Sequence, residues 1–324
     1  MTDLDIVSRG NADMVLPEEF LGGSAPLLQS LSLWGIAYRG ILNLMLSTNH
    51  LVELHLFDTP HSGYVSPNAM VTCLSGMPNL KTLSIGFRSP QSRPDPSSQH
   101  FPPPTRVALP ALTNFWFNSV SEYIEDFVSL INIPQLHNLD ISFFNQLIFD
   151  IPRLHNFLAC TETFNSHNRA AVRFHGHSVC FNLESRLSLG ISCMKSDWQI
   201  SSITQICGQI LPLFPALECL DIGEGTMPPP HWQDDVENTQ WLELLRRFPA
   251  LKDLYLDWEF APCVSPALQE IAGERAIGVL PKLENIFVEG LQSSESVGKA
   301  IRQFVAARQL SDHPVTLHRW EEWP

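Results

Sequence analysis

Apolar residues recur along the chain in one short phrase: a Pro or polar residue, a Leu two places on, two variable residues, an apolar residue, one variable residue and a second apolar residue. It reads Pro26-Leu27-Leu28-Gln29-Ser30-Leu31-Ser32-Leu33, then Asn49-His50-Leu51-Val52-Glu53-Leu54-His55-Leu56, then Pro78-Asn79-Leu80-Lys81-Thr82-Leu83-Ser84-Ile85. It returns at Leu112 with Phe115 and Phe117, and at Leu136 with Leu139 and Ile141. Later copies stand at Leu217 with Leu220 and Ile222, Leu251 with Leu254 and Leu256, and Leu283 with Ile286 and Val288. The closing apolar positions lie two apart, so in a strand both point to one face, and the earlier Leu turns in at the strand's start.

A short strand with one apolar face is not stable alone, and the stretches between phrases carry helix signals. Ser66 reads as an N-cap with Pro67 at the first helical position, followed by Met70, Val71 and Leu74. Helical patterns also run over 121–131, 202–211, 238–248 and 265–280. The leading Leu residues are 23, 29, 32, 24, 81, 34 and 32 residues apart. Most steps fall in or slightly above the range of about 20 to 29 residues typical of leucine-rich repeats. Stacked strand-helix units predict an α/β leucine-rich-repeat solenoid, a single domain over 1–324 with a curved parallel sheet on the concave face and helices on the convex face.

The 81-residue step must hide degenerate units. Val172-Arg173-Phe174 and Leu187-Ser188-Leu189-Gly190-Ile191 alternate as strands do, and His175-Gly176-His177 can turn the first into a hairpin with Val179 and Phe181. About ten ladder strands result. Two Pro-rich loops interrupt the pattern, at 88–105 and at 227–235, with repeats resuming on both sides. Leu4-Asp5-Ile6 reads as a strand, and Leu16-Pro17-Glu18-Glu19-Phe20 as the convex part of the same early repeat, so the chain is expected to begin inside the solenoid.

Within each phrase the residues beside the paired apolar positions point to the concave face. Aromatics there, with no core to fill, are interface anchors: Trp34, Phe57, Trp116, Tyr255 and Phe287. Carboxylates join them at Asp140, Asp221, Asp253, Asp257 and Glu289, concentrated toward the C-terminal end, where their fields would add and favour a basic docking surface on a protein partner.

Charge narrows the partner further. The chain has 34 acidic and 20 basic residues, a formal charge of -14, and its one local basic pair is Arg246-Arg247. That balance repels a phosphate backbone, so nucleic acid is not expected. No apolar run reaches the roughly 18 residues needed to cross a bilayer. The first residues lack a signal peptide's basic start and apolar middle. Seven widely spread cysteines, an odd number, read as reduced thiols in the cytoplasm or nucleus.

Signatures of chemistry are missing. His167, His175 and His177 cluster in sequence near Cys180, but no CxxC or HxxxH spacing accompanies them, and no metal is expected. Gly22-Gly23-Ser24 lacks the Lys-Ser/Thr of a phosphate loop. Cys180 and Cys193 lie in strand-like segments without a nucleophile signature. These absences predict neither catalytic residues nor a cofactor.

The sequence resembles the leucine-rich regions of fungal, mushroom-type F-box-like proteins. The likeness is carried by Leu16-Pro17-Glu18-Glu19-Phe20-Leu21-Gly22-Gly23-Ser24-Ala25-Pro26, His61-Ser62-Gly63-Tyr64-Val65-Ser66-Pro67, Ser119-Val120-Ser121-Glu122-Tyr123, Phe143-Phe144-Asn145-Gln146-Leu147 and Leu187-Ser188-Leu189-Gly190-Ile191-Ser192-Cys193. The resemblance implies the substrate-binding region of a ubiquitin ligase receptor. Leu16 to Phe20 looks like the opening of an F-box, but Gly22-Gly23-Ser24-Ala25-Pro26 stops any helix there. Without an F-box, docking to the adaptor of cullin ligases is not expected. A scaffold unconnected to ubiquitin and a hydrolase built on the insertions stand as alternatives.

Overall fold

Every phrase becomes a strand in the computed structural model, and the paired apolar positions line up from strand to strand. The model describes residues 2–8, 14–17, 19–37, 41–94, 106–146, 148–164, 167–193, 195–225, 236–271, 276–289, 295–310 and 313–320. The chain divides into two units, Met1–Gln146 with Asp150–Thr163, and Leu147–Phe149 with Phe164–Pro324.

In the first unit the elements are β1 (Asp3–Val7), β2 (Met14–Val15), β3 (Ser30–Trp34), β4 (Ile36–Ala37), α1 (Ile41–Leu46), β5 (Glu53–Thr59), α2 (Pro67–Leu74), β6 (Thr82–Phe87), β7 (Val107–Ala108), β8 (Asn114–Ser119), α3 (Ser121–Leu130), β9 (Ile131–Asn132), β10 (Asn138–Phe144) and α4 (Pro152–Ala159). Strands β1, β3, β5, β6, β8 and β10 form a parallel array in that order. Leu4, Leu31, Leu54, Leu83, Phe115 and Leu139 make one register row, and Ile6, Leu33, Leu56, Ile85, Phe117 and Ile141 the next. From β3 onward both rows are almost fully buried.

Local chemistry starts the helices. Ser66 Oγ accepts the Ala69 N–H at 3.4 Å, with Pro67 in the first turn of α2. α3 has no cap of its own, and its Ser121 N–H donates to Gln146 Oε1 at 3.2 Å. Glu125, buried on α3, accepts the N–H groups of Arg153 and Leu154 at 2.8 and 2.7 Å, so one helix supplies the cap of the next. The 16–20 segment runs from β2 into a 3-10 turn at Phe20–Gly23, Glu18 lying outside the described residues.

The second unit holds β11 (Arg169–His175), β12 (Ser178–Leu183), β13 (Leu187–Ser192), α5 (Ser196–Ile210), β14 (Cys219–Glu224), α6 (Asn238–Leu245), β15 (Asp253–Leu256), α7 (Ala261–Glu270), α8 (Ala276–Val279), β16 (Asn285–Glu289), α9 (Glu295–Leu310) and β17 (Thr316–Trp320). β11 and β12 form the anticipated antiparallel hairpin, and β13 adds antiparallel to β12. On its other edge β11 pairs in parallel with β14, which is followed by β15, β16 and β17. Among the described residues, six ladder strands in one unit and seven in the other exceed the roughly ten anticipated; β17, which follows no Leu phrase, is the strand the sequence did not announce.

Two expectations need correction. The helix anticipated over 265–280 begins earlier and is broken: α7 runs from Ala261 with Pro266 inside it, and α8 is a separate short helix. The turn that precedes α7 is held by Asp257, whose carboxylate accepts the N–H groups of Glu259 and Phe260 at 3.1 and 2.8 Å. The helix anticipated from 202 likewise begins at Ser196. Positions 95–105 of the first Pro-rich loop and the whole 227–235 loop lie outside the described residues.

Candidate recognition surfaces on the open sheet faces

In the first unit the polar side of the register rows carries an aromatic ledge. Trp34 of β3 and Phe57 of β5 are register partners with ring centroids 5.0 Å apart. Trp116 of β8 is two strands from Phe57, yet their centroids are 5.2 Å apart in an edge-on arrangement. The strand between them makes this possible. β6 presents Ser84 opposite Trp116 and then Gly86, where a Cβ would fall 2.7 Å from the indole, so only a bare backbone lets the ring cross. His55 stacks on Phe57 at 5.6 Å and pairs through Nδ1 with Ser84 Oγ at 2.9 Å. Trp34 remains 48% exposed, and Phe57 and Trp116 half-exposed. Asp140 of β10 is the register partner of Trp116.

The same side of the second unit carries a longer stack. Tyr255 and Phe287 lie parallel at 4.3 Å, Phe287 and His318 at 4.8 Å, and the Arg169 guanidinium sits 4.9 Å above the Tyr255 ring. A polar ladder runs alongside: Asn285 Nδ2 donates to Asp253 at 2.7 Å, and His318 Nε2 contacts Asn285 Oδ1 at 3.1 Å.

Two members of the anticipated acidic patch, Asp221 and Asp257, are engaged within the fold. Asp221 is only 5% exposed and binds the Arg173 guanidinium at 2.5 Å. Asp257 holds the turn before α7 and also accepts the Glu224 N–H at 2.5 Å; burial raises its pKa, and those backbone bonds oppose the rise. Gly223 leaves room for both pairs, since a Cβ there would meet Asp257 Oδ2 at 2.8 Å and Arg173 Nη1 at 3.1 Å. Asp253 and Glu289 stay half-exposed. Sequence reasoning missed Arg169 and Arg173, although the alternation Arg169-Ala170-Ala171-Val172-Arg173-Phe174 puts both opposite Val172 and Phe174. His318 and Trp320 were missed because β17 follows no Leu phrase.

The histidine cluster is dispersed. His167 pairs with Glu184 at 2.9 Å, while His175 Nε2 lies 3.7 Å from Cys180 Sγ. Among the described residues no group of three or more His, Cys, Asp or Glu side chains could hold a metal ion. Nor is any helix among them long and apolar enough to cross a membrane.

With strands, helices and register in place, the chain has an α/β, leucine-rich-repeat-like fold. No family model and no curated protein matches it. Among solved structures, the leucine-rich repeat-containing protein LegL7 from Legionella pneumophila is similar at 12% identity and a TM-score of 0.37, over 94% of this chain and 90% of that one. The repeat-like fold of this chain is defined by its own register rows.

Proposed function

We propose that this chain is a non-catalytic leucine-rich-repeat solenoid that recognises a protein partner through the open faces of its sheets. The observation that carries the reading is the Trp34, Phe57 and Trp116 ledge. Three large rings are held in register on the side away from the buried rows, half-exposed, where they add nothing to that core. The ledge of the first unit fits an apolar partner surface. On the second unit by itself, the half-exposed Asp253 and Glu289 beside Tyr255 and Phe287 favour basic groups on a partner, as does the net charge of -14. The narrower role, substrate recognition for a cullin ubiquitin ligase from the cytoplasm or nucleus, rests on the family resemblance alone.

Affinity capture with the full chain tests the reading, comparing the native sequence with a Trp34→Ala, Phe57→Ala, Trp116→Ala variant. A protein held by the first should be lost from the second, and its association should slow as salt rises. Equal capture by both, with no salt dependence, overturns it.

A further inference from the structure

Beyond partner recognition, we propose that Cys180 is a positioned, reactive thiol that adds to soft electrophiles of the α,β-unsaturated carbonyl class, with His175 as its base. The other thiols are placed differently. Cys73, Cys193, Cys207, Cys219 and Cys263 all have their pKa pushed up by burial, Cys219 and Cys263 to about 11. Cys160 is exposed.

Cys180 is half-exposed on the open face of β12, directly opposite Arg173 in the antiparallel register. One donor and two acceptors face its sulfur. Asn182 Nδ2 donates to Sγ at 3.4 Å, His175 Nε2 stands 3.7 Å away, and the thiol hydrogen has the Arg173 carbonyl at 3.7 Å. His175 is held in place rather than merely nearby. Its ring rests on Gly225, where a Cβ would fall 1.8 Å from Cε1, and its carbonyl accepts the Gln199 Nε2–H at 3.2 Å. Burial, followed by the Arg173 charge, lowers the His175 pKa, which leaves a neutral imidazole able to take a proton at neutral pH.

The charged groups on the elements around the pair are Arg173 on β11, Asp221 and Glu224 on β14, and Asp257 beyond β15. Asp221 and Asp257 offset much of the Arg173 field. Activation therefore falls to the imidazole more than to the guanidinium. Asn182 is the neutral neighbour on the same strand, and Gly190 the register partner on β13.

The step balances without an oxidant or leaving group. The Sγ proton passes to His175 Nε2, and the sulfur lone pair forms the S–C bond at the alkene β-carbon. The C=C π pair shifts toward the carbonyl, and the proton held by His175 is returned to the α-carbon. The product is a thioether on Cys180.

The test uses the full chain and limiting N-ethylmaleimide, an activated alkene of this class, with each cysteine read by peptide mass mapping. Cys180 should be modified ahead of exposed Cys160. Between pH 6 and 8 its rate should rise less than the roughly tenfold per pH unit of an unassisted thiol. Gly225→Ala, which pushes the imidazole aside, and His175→Gln should each slow Cys180 about tenfold relative to Cys160. Cys160 reacting first in the native chain overturns the proposal, and so does a Cys180 to Cys160 ratio unmoved in both variants. Labelling of buried Cys207 would report an unfolded variant, in which case the order and pH profile in the native chain decide.

Discussion

The indole of Trp116 lies on the backbone of Gly86, one strand away, so closely that a Cβ there would fall 2.7 Å from the ring. Gly86→Ala should therefore push the ring off Phe57 while leaving the buried rows intact. Stability should change by less than about 1 kcal/mol, because a half-exposed ring can swing outward and the new Cβ restrains the unfolded chain. Oxidative footprinting with peptide mapping isolates Trp116 from the other seven tryptophans. An unchanged Trp116 footprint would refute the crossing.

Glu125 makes a prediction about stability. Its carboxylate serves two N–H groups in the first turn of α4, and Glu125→Ala strips both at a buried site. The expected loss is about 2 kcal/mol. Amide exchange should show it first at Arg153 and Leu154. Unchanged protection of those two amides would mean that water replaces the carboxylate at no cost.

Arg173 and Asp221 form a pair whose carboxylate is buried. Arg173→Met leaves that carboxylate without its counter-ion and should destabilise the chain by about 3 kcal/mol. Arg173→Met with Asp221→Leu should recover much of the loss, since the stranded charge is then gone. Chemical denaturation of the two variants checks this, and additive losses would refute it.

Glu259 has its pKa raised to about 7 by burial first, then by its hydrogen bond to the Glu224 carboxyl and the charges of Glu224 and Asp257. A carboxyl whose folded pKa lies above its unfolded value binds more protons when folded, so its contribution is full below about pH 4.5 and is lost as pH rises toward 7. Solvent screening keeps the effect below about 1 kcal/mol, or about 2 °C in the melting midpoint. Glu259→Gln should flatten the fall in midpoint between pH 5 and pH 8. A slope identical to that of the native chain would remove Glu259 as its cause.

What could be read in advance follows from the range of the interactions. A strand's core face repeats every two residues, so Leu31 with Leu33 and Leu254 with Leu256 announce themselves locally, and the register then follows from stacking like on like. The ledge residues Trp34, Phe57 and Trp116 were legible for the same reason. Partners across the fold were not. Asp221 reads as a free carboxylate until Arg173, 48 residues earlier, is seen opposite it. Glu125 reads as helix surface until α4 arrives 28 residues later. Gly86 did carry a signal, a glycine inside an alternating strand, which marks close approach of another group. β17 and α9 lack the Pro-x-Leu opening, and β17 is too short, at five residues, for its alternation to stand out.

The antiparallel hairpin of the second unit also bears on the order in which that unit forms. His175 and Ser178 are register partners across the two residues Gly176 and His177, whereas Cys219 and its parallel partner Asp253 are 34 residues apart. Closing the longer loop costs about 2 kcal/mol more chain entropy, so β11 and β12 meet well before the parallel strands do. Once formed, they present an ordered edge on β11 for β14, and each later strand finds a template already in place. The stretch where the repeat is least regular is thus the one best suited to seed it.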